Sequence, residues 1–429
     1  MLKKLDTERQ TRMAGSKYDN YSRSLTFYAW QRMKKNKLAM FGLSVIALCF
    51  LIAVSDYFII PDGTADADTQ ILEIANKPPG FTVQLILNRK NQEEHSTGFL
   101  DKMWEGEPSE YKAQPIVEHE FVSNSLVVET YTGRKPNNGI KMKWNLADLV
   151  YNINTQKPFV EDTIKGTMDF YVYGNNEKLH KTVVELKAEV ESGCIIDRKY
   201  FLGTDNLGRD MLSRLMLGTR ISLSVGFVSV LISVLIGIFL GALAGYFRGW
   251  VDDLIMWMIN VVWSIPTLLL VIAITLALGK GLVQVFIAVG LTMWVDTARV
   301  VRGQALSIRE KEFVEAGRAL GYTNFRIIFR HLLPNVMGPV IVISAANFAN
   351  AIIIEAGLSY LGIGAQPPTA SWGAMISEHR QYIFSDSAYL AVVPGLAIMF
   401  IVLAFMLVGN GLRDALDAKA IEEEQVMGY

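Results

Sequence analysis

Six stretches of the chain stay apolar for long enough to cross a bilayer, whose core of about 30 Å takes about 20 helical residues. They run over 38–60, 221–247, 254–278, 281–298, 338–360 and 388–410, and each predicts a transmembrane helix. The first follows polar sequence and has no small-residue cleavage site, which predicts a retained span. Between the first two runs the pattern changes. Residues 61–200 hold no membrane-length run. There FTVQLIL, EFVSNSLVVETY, GTMDFYVYG and KTVVELKAEV alternate apolar and polar positions and are rich in Val, Thr, Tyr and Phe. They predict half-buried strands, separated by the turn-like KPPG, RKPNNG and YGNNEK. The expected fold is an all-α polytopic membrane protein of six helices, with a β-rich domain inserted between helices 1 and 2.

Composition supports the membrane assignment: 51% hydrophobic and 19% charged residues with a mean hydropathy of +0.26 disfavour an ordinary soluble chain. A net charge of −1 gives no overall basic field for nucleic acid. Cys49 and Cys194 form no CxxC pair, and His95, His119, His180, His331 and His379 are scattered without an HExxH. The densest group, Glu118-His119-Glu120, reads as a solvated strand or loop. No metal site and no catalytic constellation are expected.

The placement of charge predicts topology. Arg32, Lys34, Lys35 and Lys37 precede the first span, which puts the N-terminus in the cytoplasm, with FYAW (27–30) as a short interfacial segment. Six crossings return the C-terminus to the same side, so 61–200 is extracytoplasmic. The 299–335 connection should then be cytoplasmic and basic. It carries Arg299, Arg302, Arg309, Lys311, Arg318, Arg326 and Arg330 against Glu310, Glu312 and Glu315, whereas 361–387 has Arg380 as its one Lys or Arg. The expected segments are a cytoplasmic or interfacial 1–37, a first span 38–60, the extracytoplasmic 61–200, a core 201–410 and a cytoplasmic tail 411–429.

Within the spans, Ser229, Ser233, Gly237, Gly241 and Gly245 recur every four residues, a stripe that lets another helix approach closely in lipid. It admits two readings, packing within the chain and a seam between subunits. Pro266 should kink the third span. Asn347, Asn350 and Glu355 mark the fifth, and an ionisable group at membrane depth is a functional candidate because its desolvation is costly. Substrate contact, pairing at the interface and pairing with a neighbouring subunit all remain open for Glu355. No span holds a chain of acids like that of a proton relay. In GTDNLGRD (203–210), the closeness of Asp205, Arg209 and Asp210 would suit a cation or a peptide terminus, but the favoured expectation is that Asp205 or Asn206 caps an amphipathic segment, with Met211, Leu212, Leu215 and Met216, lying at the outer interface.

In REKEFVEAGRALGYTNFRIIFRHLLPN, Phe313, Ala316 and Leu320 fall on one helical face. Gly321 can end that helix, and Thr323 or Asn324 can cap a second one that Pro334 stops. Ala316, Gly317 and Ala319 keep the first helix thin for a docking surface, while Glu315 and Arg318 offer charge pairing. An ordinary basic juxtamembrane loop fits the periodicity equally well.

This segment resembles the EAA loop of ABC-transporter membrane subunits, with Glu315-Ala316-Gly317, Gly321 and Leu333-Pro334 at the motif positions. It departs from that pattern at Gly317, for the second alanine, and at His331, where an apolar residue is usual. RIIFRHLLPN, MKKNKLAMFGL, FLGTDNLGRDMLSRLMLGTRISLSVG, EAGLSYLGIGAQPPTASWGAMI and GLRDALD are similar to the oligopeptide and dipeptide importer subfamily. The likeness covers roughly 25–60 and 200–417 and stops at the 61–200 insertion. It implies a type I ABC importer permease in the cytoplasmic (inner) membrane, paired with a second homologous permease and driven by two cytoplasmic ATPases. An extracytoplasmic substrate-binding protein would deliver peptide. Glu315, Ala316, Gly317, Arg318, Gly321, Leu333 and Pro334 would couple to the ATPases. No GxxxxGK[ST] phosphate loop is present, so ATP and Mg would be handled by the partner subunits and the chain itself would bind no cofactor. Other cargo within the same fold (nickel, an antimicrobial peptide or an oligosaccharide) and a membrane-anchored sensor or docking role are the alternatives.

Overall fold

The computed structural model describes residues 25–92, 97–162, 164–173 and 177–416. In chain order the elements are α1 (Leu25–Lys35), α2 (Lys37–Ile59), β1 (Phe81–Arg89), α3 (Phe99–Glu105), β2 (Tyr111–Val122), β3 (Ser125–Thr130), β4 (Lys141–Asn145) and α4 (Leu146–Val150). Then come β5 (Val160–Asp162), β6 (Thr167–Tyr171), β7 (Lys178–Thr182), α5 (Val183–Glu189) and β8 (Ile195–Tyr200). The rest is helical: α6 (Met211–Phe247), α7 (Gly249–Trp263), α8 (Thr267–Leu278), α9 (Leu282–Arg309), α10 (Glu312–Ala319), α11 (Asn324–Ile327), α12 (Leu333–Tyr360), α13 (Trp372–His379) and α14 (Tyr389–Leu416). The described residues form two compact units, one drawn from 25–49, 224–355 and 398–416, the other from 50–223 and 356–397.

Five described helical stretches are long and apolar enough to cross a membrane, and α7 with α8 makes a sixth if that bent pair is one span. The two halves of the pair meet at 92° around Ser264, Ile265 and Pro266. Proline lacks the N–H that would continue the ladder, so the expected kink is a full break. The sixth span runs on to Leu416, past the expected limit at 410, and the rest of the tail lies outside the described residues.

In the first unit, helices approach through glycine. A Cβ on Gly237 would sit 2.5 Å from Thr297 Cβ, one on Gly241 2.4 Å from the Ala298 carbonyl oxygen, and one on Gly245 2.5 Å from Ala305 Cβ. The four-residue stripe of α6 thus lies against α9 of the same chain. Ser229 Oγ donates to the Phe286 carbonyl at 3.2 Å, and Ser233 lies 3.5 Å from Thr297 Oγ1. A Cβ on Gly42 of α2 would likewise sit 2.7 Å from the Ala404 carbonyl oxygen of α14.

The second unit holds the β-rich domain, which falls between α2 and α6 in the chain. A five-stranded antiparallel sheet has the order β4-β3-β2-β1-β8, and β5-β6-β7 forms a separate three-stranded sheet. Ile86, Leu126 and Val128 from the first sheet share one core with Met168 and Phe170 from the second and with Leu146, Leu149 and Leu186 from α4 and α5. Burying each such side chain contributes roughly 1.5–3 kcal/mol. Glu118, His119 and Glu120 are exposed on β2.

One expected strand is instead a helix. KTVVELKAEV forms the end of β7 and then α5, followed by a π turn over Val190–Cys194. Thr182 Oγ1 accepts from the Glu185 N–H at 3.2 Å and the Glu185 carboxylate accepts from the Thr182 N–H at 3.0 Å, a capping box that commits the chain to helix. Val183, Leu186 and Val190 are buried, whereas Val184 is exposed, which is helical periodicity.

The α6–α9 seam makes a specific prediction. Gly241→Ala should cost about 1–3 kcal/mol through overpacking against a backbone carbonyl, whereas Gly303→Ala on α9, with nothing within 4 Å of an added Cβ, should be neutral or slightly stabilising. Thermal unfolding of the detergent-solubilised chain separates the two.

Candidate functional site

The 299–335 connection forms two short helices at a sharp turn. α10 ends in a Schellman motif: the Tyr322 N–H donates to the Gly317 carbonyl at 3.0 Å and the Gly321 N–H to the Arg318 carbonyl at 2.9 Å. Gly321 has φ +76°, which a side chain would strain. Thr323 Oγ1 then caps α11 by accepting from the Arg326 N–H at 3.3 Å. Val314 and Gly317 face inward, with Val314 packed among Val301, Ala305, Ile327, Ile328 and Leu332. Phe313 (47% exposed), Ala316 and Leu320 (72%) face outward, joined by exposed Phe325 and Phe329. Glu315 and Arg318 are also exposed, the Arg318 guanidinium lying 5.4 Å from the Tyr246 ring centroid.

Two expectations for this segment change. Pro334 does not stop the second helix, because a π turn over Ile328–Leu332 carries α11 into α12 and the proline falls in the first turn of α12, exposed beside a half-buried Leu333. Gly317 is small for an internal reason: a Cβ there would lie 3.2 Å from the Tyr322 ring. His331, at the usually apolar position, stacks on that ring with centroids 5.9 Å apart and 15° between planes. An imidazole face thereby does the packing of an aliphatic chain.

Of the polar residues expected in the fifth span, Asn347 is buried and donates to Thr297 Oγ1 at 3.3 Å. Asn350 lines a half-open cavity of about 240 Å³ in the first unit, together with Trp263, Thr267, Thr292 and Asp296. Glu355 is buried. Asp296 is not among the expected residues, and the sequence signal that points to it is an acid inside a membrane-length run.

In the second unit, GTDNLGRD builds a buried ionic network. The Asp205 carboxylate accepts from the Leu207 and Arg209 N–H groups, both at 2.9 Å, and from Arg209 Nε at 2.6 Å. Arg209 also reaches Asp68 at 3.1 Å and Glu378 at 2.9 Å, and Arg214, fully buried, lies 3.7 Å from both Asp205 and Glu378. The expected capping by Asp205 or Asn206 is therefore overturned. Asp210 caps the helix, accepting from the Ser213 N–H at 2.9 Å, and α6 runs unbroken from Met211 without a separate interfacial segment. Burial raises the Asp210 carboxyl above its ordinary value and lowers the His379 imidazole, whose ring nitrogens lie 2.7 Å from the Met375 carbonyl and 3.2 Å from Asn206 Oδ1. Ligand atoms of Asp205, Glu378 and His379 lie within 4.8 Å of one another, but both carboxylates are engaged by arginine, which disfavours a cation.

Several helices long and apolar enough to cross a membrane, joined by a loop that exposes Phe313, Leu320, Phe325 and Phe329, are the build of a multi-pass membrane protein. Residues 237–422 match the family described as "Binding-protein-dependent transport system inner membrane component", and residues 24–79 match "N-terminal TM domain of oligopeptide transport permease C". The glutathione transport system permease protein of Pectobacterium atrosepticum is 44% identical over 220 residues, 51% of this chain and 73% of that protein. The dipeptide transport system permease protein of Alkalihalophilus pseudofirmus is 42% identical over 221 residues, 52% of this chain and 72% of that one. A solved inward-facing MetNI methionine ABC transporter shares 20% identity at a TM-score of 0.41, covering 48% of this chain and 98% of that one. The chain belongs to the family of binding-protein-dependent transport inner-membrane components. Membership implies a multi-pass subunit of the inner membrane whose partners include an ATPase and a binding protein.

The ionic network predicts its own weak point. Arg209→Met leaves Asp205 buried beside a more distant Arg214, and breaking such a pair costs about 3–5 kcal/mol. Hydrogen exchange should show protection lost over 203–210 and 370–380 while the β-rich core stays protected.

Proposed function

We propose that this chain is a permease subunit of an ATP-driven peptide importer, forming half of the pathway with a second, homologous permease and coupling to two cytoplasmic ATPases through α10. The observation that carries the coupling role is the outward face of Phe313, Ala316 and Leu320, an apolar surface held by the Schellman turn on a solvent-facing helix. Val314 anchors the opposite face to the ends of α9 and α12, so a displacement of α10 by an ATPase moves those helices as a lever. Peptide as cargo is supported by the relatives that carry glutathione and dipeptides. In this reading the termini are cytoplasmic, as the basic 299–335 connection favours. Residues 61–200 then face outward, where a binding protein delivers cargo. ATP and Mg belong to the ATPases, and this chain holds neither.

Ala316→Trp is the cleanest probe, because Ala316 is exposed while Gly317 is packed on Tyr322. The variant should insert normally, co-purify less ATPase and lose about tenfold or more in uptake, equivalent to about 1.4 kcal/mol at the docking surface. Uptake equal to that of the parent would overturn the coupling role.

A further inference from the structure

We propose that Asp296 and its cavity receive the positively charged α-amino end of a peptide in transit, which makes Asp296 a specificity-determining residue of the membrane path. The inference rests on the peptide-import role above and names a site within it. Asp296 lies midway along α9, fourteen residues after Leu282 and thirteen before Arg309. At that position a carboxylate is costly to desolvate and persists where it meets a partner or a wet cavity.

The chain itself supplies no partner. Among the described residues none forms an ion pair or hydrogen bond with the Asp296 side chain. Neither of the next two cations along its own helix pairs with it. The Arg299 guanidinium, three residues on, stacks over the Trp263 ring, 3.5 Å from its centroid. Arg302 forms a two-point pair with Asp252 at 2.5 and 2.7 Å. Arg299 therefore lies on a ring of the cavity wall and Arg302 on Asp252, while Asp296 stays half-buried against the cavity without an ion pair of its own.

The cavity has the chemistry for one end of a peptide. Its volume of about 240 Å³ is below the roughly 300–1,000 Å³ that encloses a whole drug-sized ligand, so it suits a terminal residue. Asn350, Thr267 and Thr292 offer hydrogen-bonding groups to the first peptide unit, and Trp263 and Met293 offer apolar surface to the first side chain. Thr267 is also the first residue after the break at Pro266, and discontinuous spans are a recurring way of placing polar groups at a transport site. An ammonium group supplies what Arg299 and Arg302 do not, an ion-pair partner for Asp296.

The test uses the assembled transporter with its binding protein in membrane vesicles. Uptake is compared for one peptide and for its analogue with the α-amino group replaced by hydrogen. Binding-protein delivery enters parent and variant equally, so the variant-to-parent ratio for each peptide reports the membrane site. Asp296→Asn should lower uptake of the free-amine peptide by about tenfold and leave the des-amino analogue within about twofold, with Asp296→Glu restoring most of the difference. Equal ratios for the two peptides in an assembled transporter overturn the assignment. So does failure of Asp296→Asn to assemble with the second permease while Asp296→Glu assembles and treats the peptides alike, since Asp296 is then an interface residue. A parent that imports no peptide overturns the cargo itself and this site with it, whereas a parent that imports peptide with equal ratios overturns the site alone.

Discussion

The close approach of α6 to α9 is the constraint on which the membrane unit depends. Lipid offers helices no hydrophobic reason to associate, so contact distance and the few available hydrogen bonds decide the arrangement. Glycine at 237, 241 and 245 removes the atoms that would hold the axes apart, and Thr297 then serves both Ser233 and Asn347 from one position. Fixing Thr297 and Ala298 toward α6 also fixes the rotation of α9. Asp296, about 100° away around the helix, is left facing the broken span instead of the seam.

A division of labour follows along the chain. Small residues set helix positions, a proline opens one span, and several of the charged side chains are locked together. Arg209 and Arg214 are consumed by Asp68, Asp205 and Glu378, and Arg302 by Asp252. The groups not consumed in this way are the ones that carry the functional proposals: a carboxylate in a membrane cavity, and an apolar helix face turned to solvent.

Much of this was legible in the sequence because the relevant signals are local. Twenty apolar residues in a row mark a span wherever they occur, and Gly321 announces its turn without help from elsewhere. The small-residue stripe was visible too, but not which helix it would meet, since α9 is fifty residues or more away. The ionic network is not legible for the same reason: its members come from positions near 68, 205–214 and 378. KTVVELKAEV is a short apolar run that satisfies two periods at once, and the capping pair Thr182 and Glu185 decides between them. Asp296 was hidden by its neighbours, for a single acid barely lowers the hydropathy of a long apolar window.

Within the β-rich domain, the outermost strands of the inserted segment pair with each other. Phe81 of β1 lies opposite Tyr200 of β8, and the Gly80 N–H donates to the Tyr200 carbonyl at 2.9 Å. Chain entry and chain exit are therefore adjacent, and the module closes on itself like a cassette. A segment of this kind can be gained or lost in evolution as one piece, because the ends it leaves behind are already side by side. The transport machinery and its appendage can then diversify at different rates within a single gene.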